Sequence, residues 1–417
     1  MDTSEAEEQQ ANTLPSGRPP RPSGKPASHS GQPVRPAAQS PGLQIGPITL
    51  GLPVVLAPMA GVTDAPFRVL CASFGGAMFV NQMVTARALL EGHASSWELT
   101  RFHPSEKLRS LQLYGTDPVT LGEAVRRLVS EGRVDHLDMN FGCPAAKVTR
   151  NGGGAALPYK RKLLRDVIRS AVGAAAAESG GSVPVTIKFR LGIDDDHLTF
   201  LETARIAEDE GVAAVALHAR TALQHYAPPA HWERIAELKA QTQSIPVLGN
   251  GDIFSAQDAL QMMSSTGCDG VVIGRGCLGR PWLFRDLAAA FAGEPIPATP
   301  NLGEVADVIR LHLDLILDWQ GGEERLAHFR KHLAWYFKGY AVGSAVRAAA
   351  GHVGTASEIH ALLDQLDPSL EAPEGAERII RSHSNALKRV ALPEGWLDDP
   401  DAAVKLPRGA EELVSGG

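Results

Sequence analysis

Between residues 42 and 285 the hydrophobic positions come in short apolar runs. Each run is followed by a polar, glycine-bearing corner and then by a stretch whose apolar residues recur every three or four positions. The short runs read as buried parallel strands, at 54–56, 77–81, 111–114, 136–140, 185–190, 214–219, 247–249 and 270–274. Helical periodicity fills the gaps, at 67–73, 85–91, 118–130, 160–177, 198–210, 232–240, 256–264 and 281–291. Eight such units in roughly 240 residues predict an α/β chain closed into a (β/α)8 TIM barrel. A doubly wound open sheet is the alternative, but no Gly-x-Gly-x-x-Gly opens the first helix. After residue 293 the strand signal stops, and helical periodicity at 303–320, 323–341 and 355–366 predicts an all-helical C-terminal domain. The expected divisions are a tail at 1–41, the barrel at 42–292, the helical domain at 293–395 and a mobile tail at 396–417. The first tail is Pro, Ser, Gly and Gln with almost no large apolar side chain, so it is expected to be disordered.

Composition narrows the class. Apolar residues make up 44% and charged residues 21% of 417, enough for a large core. Four cysteines with no Cys-x-x-Cys spacing suggest neither a disulfide scaffold nor a zinc site. The acidic start MDTSEAEEQQ has no signal core, and no apolar run approaches the roughly 18 residues of a membrane span. A cytoplasmic monomer with no metal and no membrane contact is expected. The net charge of −7 means that any nucleic-acid surface must be local.

In a parallel barrel the chemistry gathers at the C-terminal ends of the strands. The fourth strand runs into Asn140-Phe141-Gly142-Cys143-Pro144, where the proline keeps Cys143 extended at a strand-to-loop corner. A buried cysteine at a tight turn is the plain reading. The basic, glycine-rich loop that follows favours a working thiol. The first strand ends in Ala57-Pro58-Met59-Ala60-Gly61, small residues that let a flat ligand approach. The third strand carries Gln112, and the fifth carries Lys188 and Arg190 on alternate positions, facing one way. The sixth ends at His218, the seventh at Asn250-Gly251-Asp252 and the eighth at Gly274-Arg275-Gly276. Glycine-rich turns after the last two strands are the usual phosphate cradle of such barrels. Lys188 in an apolar strand needs an anionic or hydrogen-bonding partner, and a Schiff-base role is the rival reading. Together these residues describe a phosphorylated planar ligand with a thiol facing it.

Two basic runs lie outside that core. Lys147, Arg150, Lys160, Arg161, Lys162 and Arg165 follow the cysteine with no acid among them. Arg325, Arg330, Lys331, Lys338 and Arg347 are interleaved with Phe329, Trp335, Tyr336, Phe337 and Tyr340. A solvated helix face is the default for either run. Together, in an acidic chain, they suggest phosphate contact with base stacking, which a looped RNA requires.

With these residues assembled, the chain resembles the FMN-dependent tRNA-dihydrouridine synthases of bacterial type. The carriers are APMAGVTDAPFR at 57–68, QLYG at 112–115, DMNFGCPAAKV at 138–148, VTIKFRLG at 185–192, HARTALQHY at 218–226, NGDI at 250–253, GRGCLGRPWLF at 274–284 and RKHLAWYFKG at 330–339. The resemblance implies FMN on Pro58, Met59 and Ala60, its ring near Gln112, Lys188 and His218. Its phosphate would rest on Asn250, Gly251, Asp252, Gly274 and Arg275. It implies NADPH or NADH as electron donor, Cys143 as proton donor, and Asn140 and Arg190 around the target uracil. Lys147 and Lys331 are the expected tRNA contacts from the two basic runs. The chain departs from its resemblance at Ala146, where a second basic residue is common, at the Gly152-Gly153-Gly154 loop, read as pliant, and at Pro228-Pro229. Rival functions are a dihydroorotate-type dehydrogenase, a Schiff-base barrel lyase and a catalytically silent RNA-binding protein.

Overall fold

The computed structural model describes residues 42–404, except 77, 228, 324–325 and 382–385. The expected tail at 1–41, residues 405–417 of the C-terminal tail, Ala77, Pro228 and Arg325 lie outside the described residues.

Strands β1 (Leu43–Ile45) and β2 (Ile48–Leu50) form an antiparallel hairpin. The strands after it are β3 (Val54–Leu56), β4 (Met78–Phe79), β5 (Val84–Thr85), β6 (Ser110–Tyr114), β7 (His136–Phe141), β8 (Val185–Arg190), β9 (Ala214–His218), β10 (Val247–Asn250) and β11 (Gly270–Ile273). They make one nine-stranded parallel sheet in the order β4-β3-β11-β10-β9-β8-β7-β6-β5. The sheet closes on itself. Val80, just past β4, bridges Ser110 of β6, and the Asn81 amide donates to the Ser110 carbonyl at 3.0 Å. Strand β5 is a two-residue addition on β6, so the other strands form the predicted eight-fold barrel.

Alternation along the strands sorts the side chains. Leu137, Met139, Phe141, Ile187, Phe189, Val215 and Leu217 face outward into the core beneath the helices. Inside the barrel, one wall is apolar, with Val55, Met78, Val80, Ala216, Leu248 and Val272. The facing wall is polar, with Ser110, Gln112, His136, Asp138, Asn140 and Thr186 linked by hydrogen bonds. Leu43, Ile45 and Leu50 of the hairpin join the apolar wall and stopper the barrel's N-terminal end. The hairpin's two strands, three residues each, were not among the runs that stood out in the sequence. Some barrel helices start where the sequence supplies a cap. Asp64 accepts from Phe67 N at 3.1 Å ahead of Ala65–Ser73, and Asp117 with Pro118 opens Pro118–Ser130.

Helices Leu302–Gln320, Arg330–Tyr336, Gly343–Ala350 and Ala356–Leu363 pack round a second core. The 323–341 run is split, with a 3-10 turn at Leu326–Phe329, and Gly343–Ala350 is an element that the sequence pattern did not single out. One expectation is corrected here. Phe329, Tyr336, Phe337 and Tyr340 do not offer rings to RNA; at 3% exposure or less they are the core of this domain. They were the apolar face of an amphipathic pattern, and only Trp335 of the set is half-exposed. Phe67 of the first barrel helix meets the rings of His312 and His332 at 5.7 and 5.5 Å, joining barrel and helical core.

After the helices the chain returns across the barrel as a strap. Lys388 N donates to Leu223 O at 3.0 Å, Tyr159 Oη to Leu397 O at 2.8 Å and Lys160 Nζ to Asp399 O at 2.6 Å. Trp396, inside the stretch read as a mobile tail, is 4% exposed and donates its indole N–H to Ala156 O at 3.0 Å.

Candidate active site at the mouth of the barrel

A cavity of about 440 Å³ opens at the C-terminal ends of the strands. Pro58, Met59, Ala60, Gln112, Asn140, Cys143, Lys188, Arg190, His218, Asn250, Gly251, Asp252, Gly274, Arg275 and Lys331 all line it. Lys147 does not. It sits exposed on the short helix Ala146–Thr149, close enough for its charge to act on the Cys143 thiol.

The cysteine loop is tied down at several points. Asn140 Oδ1 accepts from Gly142 N at 3.2 Å and from Cys143 N at 2.9 Å. Arg190 donates from Nε to Gly142 O at 2.8 Å, and from Nη1 to Thr221 O at 3.0 Å and His225 O at 2.9 Å. The Cys143 carbonyl accepts from Ala155 N at 3.0 Å. The three glycines that follow are the opposite of pliant. A Cβ at Gly152 would collide with the Trp396 ring, one at Gly153 with the Tyr114 hydroxyl, and one at Gly154 would lie 2.5 Å from Cys143 O. Burial pushes the Cys143 thiol up, against the Ala145 N–H and the charges of Arg190 and Lys147. A thiol held protonated at neutral pH can give a proton and is a poor nucleophile.

The opposite side of the mouth is built for an anion. Gly251 takes φ +135°, and a Cβ there would lie 2.8 Å from the Ala230 methyl. At Gly274 the nearest atoms to such a Cβ are 3.9 and 4.0 Å away, so the backbone is open to a ligand. Gly249 and Gly276 serve packing instead, against Met262 and the Ile253 carbonyl. Arg275 Nη1 is buried without a hydrogen-bond partner, beside this turn. The Asp252 carboxylate would repel a phosphate, but Arg220 neutralises it with bonds of 2.7 and 2.6 Å, leaving the turn net cationic. A guanidinium nitrogen without a partner next to open glycine backbone fits a phosphate group, and the residues present therefore fit the expected cofactor's phosphate.

Between the two ends lie Lys188 and His218. Lys188 Nζ donates to Asn250 Oδ1 at 3.0 Å, and burial, aided by Arg190, pushes its ammonium down to about 8. Burial and then the Arg190 and Lys188 charges hold His218 well below the usual histidine range, so it is neutral. Arg220 and Tyr226 also line the cavity, with the Arg275 guanidinium 4.3 Å above the Tyr226 ring. Both stood in the HARTALQHY stretch, but neither was singled out for the site: position alone did not show that they fold back over the mouth.

The basic runs are partly consumed inside the protein. Lys160 bonds the strap, Arg161 pairs with Asp401 at 2.8 Å, and Arg165 with Glu210 at 2.6 Å. Arg330 donates to Val353 O, Arg347 to Tyr340 O, and Lys331 to Gly61 O in the loop after the first barrel strand.

A closed parallel barrel with a protonated thiol facing a cationic turn across its mouth is the class that fold and site define. Within that class the chain belongs to the dihydrouridine synthase family, as the sequence resemblance had indicated: residues 55–371 match the family described as Dihydrouridine synthase (Dus). A "Probable tRNA-dihydrouridine synthase" of Mycobacterium tuberculosis (strain ATCC 25618 / H37Rv) is 54% identical over 385 residues, covering 91% of this chain and 98% of that protein. One of the same description from Mycobacterium leprae (strain TN) is 50% identical over 389 residues, 87% and 100% of the two chains. The "tRNA-dihydrouridine synthase B" of Xanthomonas campestris pv. campestris is 39% identical over 313 residues, 75% of this chain and 92% of that one. The strap lies beyond the family match.

Proposed function

We propose that this chain reduces the C5–C6 double bond of uridines in tRNA, with FMN as cofactor and NADPH or NADH as electron donor. The single observation that carries the reading is Cys143 lining one cavity with the cationic Gly274-Arg275 turn on the far side of the mouth, its thiol pushed up by burial. Family membership and the names of its relatives support it, and they leave the lyase and the free-pyrimidine dehydrogenase without support.

Pro58, Met59 and Ala60 would hold the flavin ring beside Gln112, Lys188 and His218. Asn250, Gly251, Asp252, Gly274 and Arg275 would hold its phosphate through backbone amides and the free Arg275 Nη1. Bound FMN, reduced by the nicotinamide, supplies the hydride that adds to uracil C6. Cys143 gives its proton to C5, so that hydride and proton together saturate the double bond and the thiolate is reprotonated from water. Arg190 has already used three of its five N–H groups on backbone carbonyls; the two on Nη2 remain to bind a uracil oxygen. Asn140 keeps one N–H for the same base, its oxygen being filled by Gly142 and Cys143 amides. Lys147 and Lys331 would meet tRNA phosphates. The helical domain, 293–395, would orient the tRNA.

The test compares the native protein with Cys143→Ala. The native protein purifies with a flavin spectrum, oxidises NADPH and leaves dihydrouridine in added unmodified tRNA, read by mass spectrometry. Cys143→Ala keeps the spectrum and flavin reduction but loses uracil reduction by about 100-fold, the scale of a proton-transfer group. A colourless protein, or an unimpaired variant, overturns the assignment.

A further inference from the structure

The Cys143 loop and the polar wall of the barrel share one hydrogen-bond system, and its proton directions can be worked out. The two ends of the system fix them. Asp138, buried, accepts from Gln112 Nε2 at 2.7 Å on Oδ2 and from Thr186 Oγ1 at 2.7 Å on Oδ1. At the other end the backbone amides of Gly142 and Cys143 can only donate, and both do so to Asn140 Oδ1. Asn140 Nδ2 must then donate to Gln112 Oε1, 2.8 Å away, which turns Gln112 Nε2 toward Asp138. The lower branch is equally determined. Thr186 has one hydroxyl proton and gives it to Asp138, so it accepts from His136 Nε2–H at 3.0 Å. His136 Nδ1 then accepts from the Ser110 hydroxyl at 2.7 Å. Every donor in both branches points toward the same carboxylate.

We infer that Asp138 is a positioning residue: as the common acceptor of both branches it holds Gln112 in place against Asn140, and through Asn140 it supports the backbone of Cys143. The inference rests on the synthase reading only for the role of that thiol. An amide side chain is nearly symmetric in shape, and its two ends are told apart only by their partners. The donor-only amides hold Asn140 from one end and Asp138 holds Gln112 from the other. Asp138→Leu, close in volume, takes the acceptor away: Gln112 Nε2 is left buried without a partner, Gln112 is no longer held against Asn140, and the loop loses the support of its anchor. Asp138→Asn keeps an oxygen for Gln112, because the Thr186 hydroxyl, the His136 ring and the Ser110 hydroxyl can each reverse to accept its N–H₂.

The experiment reads Cys143 without flavin or tRNA. Cofactor-free protein is treated with iodoacetamide at fixed pH, and alkylation at residue 143 is followed by peptide mass spectrometry. In D138L the rate rises about tenfold, as expected when a buried hydrogen-bond set is broken. D138N, which keeps an acceptor for Gln112, stays within about twofold of the native rate. The readout needs neither flavin nor tRNA, so failure of the synthase reading leaves the alkylation result standing. If D138L fails to fold while D138N folds and reacts as the native protein does, the inference holds. It is overturned if the D138L rate is unchanged within twofold, if D138N reacts like D138L, or if neither variant folds.

Discussion

Gly154 takes φ +53°, a conformation that costs other residues about 1 kcal/mol or more, and its missing side chain leaves room for the Cys143 carbonyl. Gly154→Ala is therefore expected to displace the cysteine loop, lowering uracil reduction at least about tenfold and stability by about 1–3 kcal/mol, with flavin binding kept. Turnover on tRNA, measured beside flavin content and a urea melt, checks it; native turnover would mean that the loop has slack. The residue scale also shows what a sequence makes legible. Asn140, Cys143, Lys188, Arg190 and His218 could be placed because barrel strands alternate and their C-terminal ends converge. Partners were a different matter. That Arg190 spends three N–H groups on carbonyls, or that Asp252 is covered by Arg220, depends on loops whose path no local pattern records. Asp138 looked like part of a motif, and nothing short of the strand register (Gln112 beside Asp138, Asn140 beside Lys188) could show what it joins.

The strap at 386–404 is the element that departs furthest from its sequence appearance. From residue 396 the polar, proline-bearing chain reads as a mobile tail, yet Trp396 seats against Gly152 and Ala156 and bonds the loop behind the cysteine. The lone large aromatic was the available signal. Trp396→Ala removes a buried ring worth about 3–5 kcal/mol, more than a short strap can lose and stay docked. The expected result is release of the strap: trypsin cleaves at Lys388 and Arg389 several-fold faster, and uracil reduction falls several-fold while the flavin spectrum is kept. Unchanged cleavage together with unchanged turnover would show the contact to be dispensable. The strands and barrel helices, by contrast, were legible nearly to the residue, since short buried runs alternating regularly with amphipathic helices admit few other folds. The short hairpin β1–β2 was not.

At the scale of the whole molecule, four buried histidines set the response to acid. Burial pushes His136 and His312 down to about 3, and holds His218 and His332 well below their ordinary 6.5. Below 6.5 the unfolded chain takes up protons that the folded chain refuses. Stability therefore falls with falling pH, by up to about 1.4 kcal/mol per pH unit for each histidine. Asp138 works the other way: pushed up to about 6 from 3.8 by burial, it favours the folded state as pH falls through that window. Asp64 and Asp286 are raised by burial as well, and the four histidines outweigh these three carboxyls and give the sign. Urea denaturation is expected to show the protein at least about 2 kcal/mol less stable at pH 5 than at pH 7; a flat or inverted profile would falsify the neutral-histidine account. No helix among the described residues is long and apolar enough to cross a membrane. The hairpin that stoppers the barrel has a last consequence, one of traffic. With its far end plugged by Leu43, Ile45 and Leu50, the barrel is a well and not a pipe. The nicotinamide and the uridine that the proposed reaction needs must enter and leave through the same opening, one after the other, and neither can wait inside for its turn.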